Sequence, residues 1–267
     1  KPLAMKDSGY DNHAAILAKR ASGYEKRPNG LINAPYLDMS LPYAAGSLYS
    51  TVDDLLKWDQ ALYQSTMLSE ESKRLMFTPG LENYGYGFDI TDIKIGQTQE
   101  KTKVISHSGG INGFSSLLSR AVEKKQTVII LDNVGLGQYH YPITTSIIAL
   151  LNGQPAAAPQ KSVGEHVYKA ILERNVSSAI AEYRKLKTAN SPEFDFTESQ
   201  LNSLGYELIR VNRVLDAIEI FKLNVEMFPN SGNPYDSLGE AYLLNKQDDL
   251  GLLNYKKALE VDPTNVN

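Results

Sequence analysis

Apolar residues recur at helical spacing in a segment near the start of the chain, STVDDLLKWDQALYQ. The spacing is set by Leu55, Trp58, Ala61 and Leu62, which fall on one face of a helix. Ser50, followed by Asp53, forms a capping-box-like start for this helix, with Asp in place of the more usual Glu or Gln. A second, shorter helix is predicted to begin at Ser69, in SEESKRLMF.

The following segments alternate or are continuously apolar, which predicts strands. Residues 84–95 alternate well enough for one strand, and KVISH indicates another. GFSSLLSRAV and QTVIILDN flank a charged turn and indicate a hairpin. Because residues 128–131 are apolar on both faces, their strand should be central or covered by helices. ITTSIIALL predicts a helix that ends at Gly153. Helices, three antiparallel strands and a packed helix together indicate an α+β domain.

Composition shifts at NGQPAAAPQKS, which contains prolines, alanines and glutamines and lacks a helical or strand pattern. We interpret residues 153–162 as a linker. Before it, residues 1–152 mix helices with strands. After it, residues 163–267 are predicted to be entirely helical, so the chain has two domains.

The all-α part contains an internal repeat. SLGYELIRVNRVLDAIEIFKLNVEMFP, from Ser203, aligns with SLGEAYLLNKQDDLGLLNYKKALEVDP, from Ser237, at an offset of 34 residues. Leu-Gly, small, aromatic and Pro positions at this period resemble tetratricopeptide (TPR) repeats, which are helix-turn-helix units. We predict repeats over residues 201–233 and 235–267 and a degenerate one over 164–190, since about three stacked units make a stable solenoid. The alternative is an ordinary helical bundle.

The composition limits the classes of function. The 267 residues are 42% hydrophobic and 22% charged, with a net charge of -4, as expected of a globular protein. No segment is dominated by Lys and Arg, so neither nucleic acid nor a membrane is an expected partner. The absence of cysteine excludes disulfides, thiolate metal sites and a cysteine nucleophile. His13, His140 and His166 lack metal-ligand spacing, so we expect no metal and no other cofactor.

Four segments, in order, resemble the C-terminal portion of serine β-lactamases and penicillin-binding proteins. They are KPLAMKDSGYD, LPYAAGSLYSTVDDLLKWDQAL, YGYGFDI and HSGGINGFSS. The likeness is to the class C-like, esterase-like branch and covers residues 1 to about 152. It implies a serine hydrolase that forms an acyl-enzyme on a β-lactam, a D-amino-acid peptide or a small ester. It also implies a bacterial protein that is periplasmic or exported.

The HSGG segment occupies the place of the family's third motif, Lys-Thr-Gly or His-Ser-Gly, on a strand that lines the cleft. The resemblance gives His107 the place of the motif Lys, supporting proton transfer, and gives Ser108 a hydrogen bond to substrate. Gly109 would keep this wall thin, so that substrate lies along the strand edge. Gly110 would donate its backbone N–H to the oxyanion, an interaction worth about 3–4 kcal/mol at comparable sites. The alternative is a tight bend without a ligand. Arg120 is expected to be paired or exposed.

The nucleophile that this wall would serve is missing from the sequence. No Ser is followed by Lys three residues later, and no Gly-x-Ser-x-Gly motif occurs. YDN at Tyr10 and SGN at Ser231 match the family's second motif, Tyr-x-Asn or Ser-x-Asn, but we interpret both as chance matches. The chain also opens without an initiator Met or a signal peptide. We therefore expect the C-terminal portion of a longer serine hydrolase, inactive on its own.

The resemblance implies a partial antiparallel sheet flanked by helices, because the family takes further strands from its N-terminal region. We expect an exposed sheet edge and an apolar face. The missing N-terminal segment with the nucleophile, or a self-association partner, would cover them. The repeats would form a concave groove for a peptide or protein ligand. An alternative function is a non-catalytic TPR scaffold with a degenerate hydrolase-like domain.

Overall fold

The computed structural model describes residues 2–12, 14–27, 30–65, 67–156 and 158–263. The chain divides into two compact units, residues 1–157 and residues 158–267. His13, Ala157 of the predicted linker and the last four residues of the third predicted repeat lie outside the described residues. Within the described ranges, no helix has the length and hydrophobicity needed to span a bilayer.

The first unit combines short strands with helices. Its strands are β1 (Gly9–Tyr10), β2 (Tyr24–Arg27), β3 (Gly30–Asn33), β4 (Leu48–Tyr49), β5 (Asp89–Lys94), β6 (Lys101–Ile111), β7 (Phe114–Ala121) and β8 (Gln126–Asp132). Its helices are α1 (Tyr43–Gly46), α2 (Val52–Leu62), α3 (Glu70–Met76) and α4 (His140–Leu151). The predicted mixture of helices and antiparallel strands is confirmed.

The largest sheet is antiparallel, in the order β5-β6-β7-β8. The described residues therefore supply four strands to this sheet, and the prediction of three was wrong. The two predicted strands at residues 84–95 and at KVISH contain β5 and β6, which pair with each other. Gly96, at φ +59°, turns the chain between them. This sheet carries the HSGG segment on β6.

The strand predicted over residues 84–95 is shorter than expected. Residues 84–87 form a turn in which Gly87 takes a φ of +81°. Gly85 lies so close to the end of α3 that an added Cβ would come 2.3 Å from the carbonyl oxygen of Met76. The alternation of Tyr and Gly imitates a strand, but these glycines serve a turn and a close approach.

Helices cover both faces of the sheet. The core on the α2 face is formed by Leu62, Phe88, Ile90 and Ile105. The core on the α4 face is formed by Val104, Ala121, Val128 and Ile148. Strand β8 ends the strand order, and both α2 and α4 contact it. The apolar segment 128–131 is therefore covered by helices rather than central in the sheet.

A buried ion pair fixes α2 to the sheet. Arg120 of β7 and Asp59 of α2 are 1% and 2% exposed, and Nε of Arg120 lies 2.5 Å from Oδ1 of Asp59. Thr127 of β8 donates to the other carboxylate oxygen at 2.8 Å. The guanidinium carbon lies 4.5 Å from the ring centre of Tyr63. Arg120 is thus paired, as expected, and it is buried.

Helix α2 begins one residue later than the capping-box pattern predicted. Thr51, rather than Ser50, is the N-cap, and its hydroxyl accepts the backbone N–H of Asp54 at 3.3 Å. Asp54 is fully buried and accepts the backbone N–H of Asp7 and the hydroxyl of Ser8. The first turn of α2 therefore holds the start of the chain.

The second unit is helical apart from two short strands. Its helices are α5 (Val163–Glu173), α6 (Val176–Thr188), α7 (Glu198–Arg210), α8 (Val214–Met227), α9 (Gly232–Leu244) and α10 (Asp248–Val261). Consecutive helices pack as pairs, and each pair packs on the next. One pair occupies each predicted repeat range, beginning up to three residues earlier. An added Cβ on Gly205 would come 2.4 Å from the Phe221 ring, and one on Gly239, 34 residues later, 3.2 Å from the Tyr255 ring.

The predicted linker ends earlier than expected. Its last two residues form β9 (Lys161–Ser162), which pairs in parallel with β10 (Phe194–Asp195) after α6. The backbone N–H of Lys161 donates to the carbonyl oxygen of Glu193 at 2.7 Å. The side-chain amide of Gln160 donates to the carbonyl oxygens of Pro192 and Phe194, both at 3.1 Å. These hydrogen bonds join the segment that precedes α5 to the segment that follows α6.

Asp59→Asn would leave the buried guanidinium of Arg120 without its counter-charge. We expect the free energy of unfolding of the first unit to fall by about 3–5 kcal/mol, the cost of breaking a buried ion pair. Trp58, the only tryptophan, lies on α2, so its fluorescence in a urea titration follows this unit. Asp92→Asn, at an exposed position of β5, is the matched control and should change stability by less than about 0.5 kcal/mol. Equal losses in the two variants would contradict the prediction.

Candidate active site

Strand β6 continues past the end of its neighbour β5. The pairing of β5 with β6 stops where Asp89 faces Ser106, whereas β7 accompanies β6 as far as Ile111, opposite Phe114. From His107 to Ile111, one edge of β6 therefore has no strand partner among the described residues. Backbone N–H and C=O groups along such an edge can bond an extended ligand.

The pattern of exposure along β6 changes at the same point. Ile105 and Ser106 are 3% and 1% exposed, whereas all four residues of HSGG are exposed. A strand with one covered face alternates between buried and exposed residues. Four successive exposed residues mean that, within the described part of the chain, neither face of β6 is covered here. The structure places all four predicted site residues on one accessible stretch.

The side-chain positions of HSGG are divided between the two faces of the sheet. His107 pairs with Leu118, and both lie on the α2 face, because Ile105, two residues earlier, belongs to the core on that face. Gly109 shares the face of His107. Ser108 and Gly110 lie on the opposite face. The four positions therefore come together only along the free edge of the strand.

Tyr84, which was not among the predicted site residues, is a neighbour of His107. The two rings meet edge to face, with centroids 6.2 Å apart and an interplanar angle of 61°. The turn that carries Tyr84 is fastened to the end of α3, since the backbone N–H of Tyr86 donates to the carbonyl oxygen of Met76 at 3.2 Å. The signal in the sequence was the Tyr-Gly-Tyr-Gly segment, which the alternation pattern assigned to a strand.

The two glycines of HSGG differ in their surroundings. A Cβ on Gly109 would come 2.6 Å from Oγ of Ser116 on β7, so a larger residue there would displace that side chain. Nothing lies within 4 Å of the Cβ position of Gly110. Neither glycine has a positive φ. Neither backbone conformation nor a described neighbour therefore requires glycine at position 110, which faces open space.

Residues 24 and 35 contact the turn of the β6–β7 hairpin. At the turn, Gly113 has a φ of +74°, and an added Cβ would lie 2.6 Å from the backbone nitrogen of Tyr24. The side-chain amide of Asn112 donates to the carbonyl oxygen of Pro35 at 2.9 Å. The backbone N–H of Tyr24 donates to the carbonyl oxygen of Asn133 at 2.9 Å. These contacts fix the end of β6 that carries the free edge.

A second polar cluster lies at the end of β8. Nε2 of His140 lies 2.7 Å from Oδ2 of Asp132, whose other oxygen accepts the backbone N–H groups of Val134 and Leu136. Burial alone would raise the pKa of Asp132, but the two N–H donors and His140 together lower it below the ordinary value. His140 is 3% exposed and begins α4, so this cluster stabilises the β8–α4 connection. Among the described residues, no group of three or more His, Cys, Asp or Glu could hold a metal ion.

Comparison with known proteins places the first unit in a family. The family model described as Beta-lactamase matches residues 1–157, more than half of the chain. The chain belongs to the β-lactamase family. The resemblance to β-lactamases and penicillin-binding proteins is thus confirmed at the level of the family.

Two of the similar proteins come from Bacillus subtilis. Penicillin-binding protein 4* of Bacillus subtilis (strain 168) is 32% identical over 143 residues, which are 50% of this chain and 31% of that protein. The putative penicillin-binding protein PbpX of the same organism is 31% identical over 159 residues, 57% of this chain and 37% of that protein. The structure of the octameric penicillin-binding protein homologue from Pyrococcus abyssi aligns with a TM-score of 0.48 at 26% identity, covering 63% of this chain and 39% of that chain. The chain spans about a third of the length of the curated relatives it matches.

Asp132→Asn should destabilise the first unit in a pH-dependent way. A carboxyl whose pKa is lowered by folding adds stability above its unfolded pKa, and that stability is lost as the pH falls through the folded value. We expect the free energy of unfolding to fall by about 1.5–3 kcal/mol at pH 7, as is typical when hydrogen bonds to a charged group are lost. The loss should shrink as the pH falls below the ordinary Asp value of 3.8. Urea titrations followed by Trp58 fluorescence at neutral and acidic pH measure it. A loss independent of pH would show that the charge of Asp132 is not responsible.

Proposed function

We propose that residues 1–157 are the C-terminal portion of a serine hydrolase of the class C-like, esterase-like branch, with HSGG as one wall of an acyl-transfer site. The edge of β6 from His107 to Ile111 carries this proposal, because it has no strand partner in the described part of the chain and its first four residues are exposed. A substrate with an amide or ester group would lie along this edge and bond its backbone groups, as an added strand does. The substrate is a β-lactam, a D-amino-acid peptide or a small ester.

Each residue of HSGG has a role in this proposal. His107 takes the place of the motif Lys. Its imidazole can support proton transfer there, since it can both donate and accept a proton. Ser108 hydrogen-bonds substrate from the other side of the edge, and Gly109 keeps the wall thin. The open space beside Gly110 admits the substrate carbonyl to its backbone N–H. An oxyanion donor of this kind contributes about 3–4 kcal/mol to the stability of the transition state.

The proposed reaction needs a nucleophile from another segment. This chain has no Ser-x-x-Lys, so we propose that the serine comes from an N-terminal segment of the parent protein. That serine would add to the carbonyl carbon, its proton would pass to the leaving group, and water would hydrolyse the acyl-enzyme.

Exposed apolar side chains support a covering segment or a second copy. Leu41, Tyr43 and Leu48 are 74%, 69% and 73% exposed. Leu131, which pairs with Ser116 and so shares the face of His107, is 40% exposed. A concentration of such residues on one unit is typical of a surface that another segment covers.

We propose further that the helical pairs of the second unit are TPR repeats with a peptide or protein ligand. The offset of 34 residues and the equivalent tight contacts at Gly205 and Gly239 support this assignment. Polar groups connect α7 with α9, the first helices of successive pairs: the hydroxyl of Tyr206 donates to Oε2 of Glu240 at 2.8 Å. Burial raises the pKa of Tyr206 to about 12, so its hydroxyl stays a donor at neutral pH.

The missing Ser-x-x-Lys also favours a second candidate function, a non-catalytic TPR scaffold with a degenerate hydrolase-like unit. For either function, the family resemblance supports a periplasmic or exported location. The two candidates differ in the sequence that precedes residue 1 in the gene. A Ser-x-x-Lys followed by a Tyr-x-Asn there would favour the hydrolase, and their absence would favour the scaffold.

The chain on its own should not be acylated. We expect neither a fluorescent penicillin nor a serine-directed fluorophosphonate to label it covalently, because no activated serine is present. Intact-mass spectrometry after incubation measures the labelled fraction, with penicillin-binding protein 4* as the positive control. Stoichiometric labelling of this chain would contradict the prediction.

A chimera tests the proposed wall directly. Residues 1–157 would replace the matching C-terminal part of penicillin-binding protein 4*, which contributes its own N-terminal segment. We expect a fluorescent penicillin to acylate the chimera, and His107→Ala to slow acylation about 10²–10⁴-fold, the range for a lost acid–base group. Lys103→Ala, at an exposed position of the same strand and face, should leave the rate unchanged. Equal rates in the two variants would contradict the role of His107, and a folded chimera that is never acylated would contradict the wall.

A further inference from the structure

The free edge of β6 ends against β5. The pairing of the two strands stops at Asp89, which faces Ser106 directly, and residues 107–111 continue beyond it. An extended substrate that lies along residues 107–111 would therefore meet the first residue of β5 at one end of the edge. The side chains around Ser106 decide which chemical group can be bound there.

Asp89 places a carboxylate on the α4 face of the sheet. Residues directly opposite one another on antiparallel strands share a face, so Asp89 lies on the face of Ser106. Ile90 and Ile105, the next pair along, belong to the core on the α2 face, as the alternation of a strand requires. Asp89 is half-buried, and within the described ranges its carboxylate makes no hydrogen bond or ion pair. A carboxylate in this setting is stabilised by a cationic ligand.

Tyr141 reaches the same place from the first turn of α4. Helix α4 contacts β7 and β8, whereas the hydroxyl of Tyr141 lies 3.4 Å from Oγ of Ser106 on β6. The side chain thus extends across the sheet toward the free edge, which is on the side of β6 away from β7. Ser106 is 1% exposed, but Tyr141 is 44% exposed and can contact a ligand.

Ser108 adds an exposed hydroxyl two residues further along the same face of β6. We call Asp89, Ser106, Ser108 and Tyr141 the terminal cluster. It consists of one carboxylate and three hydroxyls. Hydroxyl oxygens accept hydrogen bonds as well as donate them, so all four side chains can accept from one ammonium group. Charge complementarity therefore favours a cationic ligand.

The terminal cluster lies at a distance from the proposed oxyanion donor, the backbone N–H of Gly110. Each residue of a strand advances about 3.3 Å, so Ser108 lies about 7 Å and Ser106 about 13 Å from Gly110 along β6. A small ester held at Gly110 ends short of the cluster. An extended peptide reaches it within about four residues, and sooner through a long side chain. The cluster thus selects for length as well as for charge.

We propose that the terminal cluster binds the ammonium group of a lysine-type side chain on an extended, peptide-like substrate. Asp89 is its counter-charge, and Tyr141 and Ser108 determine specificity beside it. This inference rests on the proposed function, because it takes the substrate to lie along β6, and it narrows the substrate to a peptide that carries a positive charge. The cluster and His107 lie on opposite faces of the sheet, so the bound charge stays apart from the proposed acid–base group.

Peptide binding to the 267-residue chain tests the terminal cluster. The probes are three acetylated hexapeptide amides that differ only at one central residue, which is lysine, norleucine or glutamate and carries the only charge. We expect the lysine peptide to bind about 2–5-fold more tightly than the norleucine peptide, the gain typical of a partly exposed ion pair. The glutamate peptide should bind most weakly. Isothermal titration calorimetry at low salt measures the three affinities. Equal affinities would overturn the proposal, and so would the absence of binding by all three peptides.

Two substitutions assign the preference to the cluster. Asp89→Asn should abolish the preference for lysine and leave the affinity for the norleucine peptide unchanged. Asp92→Asn, an exposed acid of the same strand on the opposite face, is the matched control and should keep the preference. Tyr141→Phe should weaken binding of the lysine peptide about 2–10-fold, because it removes one hydrogen-bonding group and keeps the ring. A preference for lysine that survives Asp89→Asn would overturn the proposal, since the charge would be bound elsewhere.

Failure of the terminal cluster and failure of the proposed hydrolase give different results. A chimera that a fluorescent penicillin acylates, together with equal affinities of the three peptides, would overturn the cluster alone. A folded chimera that is never acylated, together with a preference for lysine that depends on Asp89, would overturn the hydrolase and support the cluster as a peptide-binding site.

Discussion

The difference in length between β5 and β6 determines where the first unit can meet a ligand. Strand β5 spans six residues and β6 eleven, and the excess lies entirely at the HSGG end. Because β7 accompanies β6 to the hairpin turn, the chain stays extended there after β5 has ended. The backbone groups of residues 107–111 therefore have a fixed geometry before any ligand arrives.

The stability of the first unit and the position of this edge are connected through β7. Arg120, which holds α2 by its ion pair with Asp59, lies on the same strand and the same face as Leu118, the partner of His107. At the other end of the hairpin, Asn112 and Gly113 pack on the start of the chain. The edge is therefore held at both ends by groups that take no part in the proposed chemistry.

Much of the architecture could be predicted because its signals are local. The repeat offset and helical spacing gave the helices of the second unit within a few residues, and the ordered segments located HSGG on a strand. The turn at residues 84–87 was missed because alternating Tyr and Gly imitates a strand, while its cause, the approach of Gly85 to α3, is not local. The N-cap was misplaced by one residue because Ser50 and Thr51 are chemically equivalent candidates.

The contacts that shape the site join distant parts of the sequence and leave no pattern in it. Asp59 and Arg120 are 61 residues apart, and neither is distinguished by its neighbours. The contact of Tyr84 with His107 depends on a turn whose position is set by α3. The free edge itself depends on where β5 begins, at Asp89, whereas the sequence pattern began this strand at residue 84.

The parallel pairing of β9 with β10 has a mechanical consequence for the second unit. Tension in the segment that precedes Gln160 acts first on the hydrogen bonds of Gln160 and Lys161 to the chain after α6. A pulling force on this segment is therefore shared between the start of α5 and the chain that follows α6, and does not act on the first turn of α5 alone. The α5–α6 pair is thereby protected from being unravelled one turn at a time.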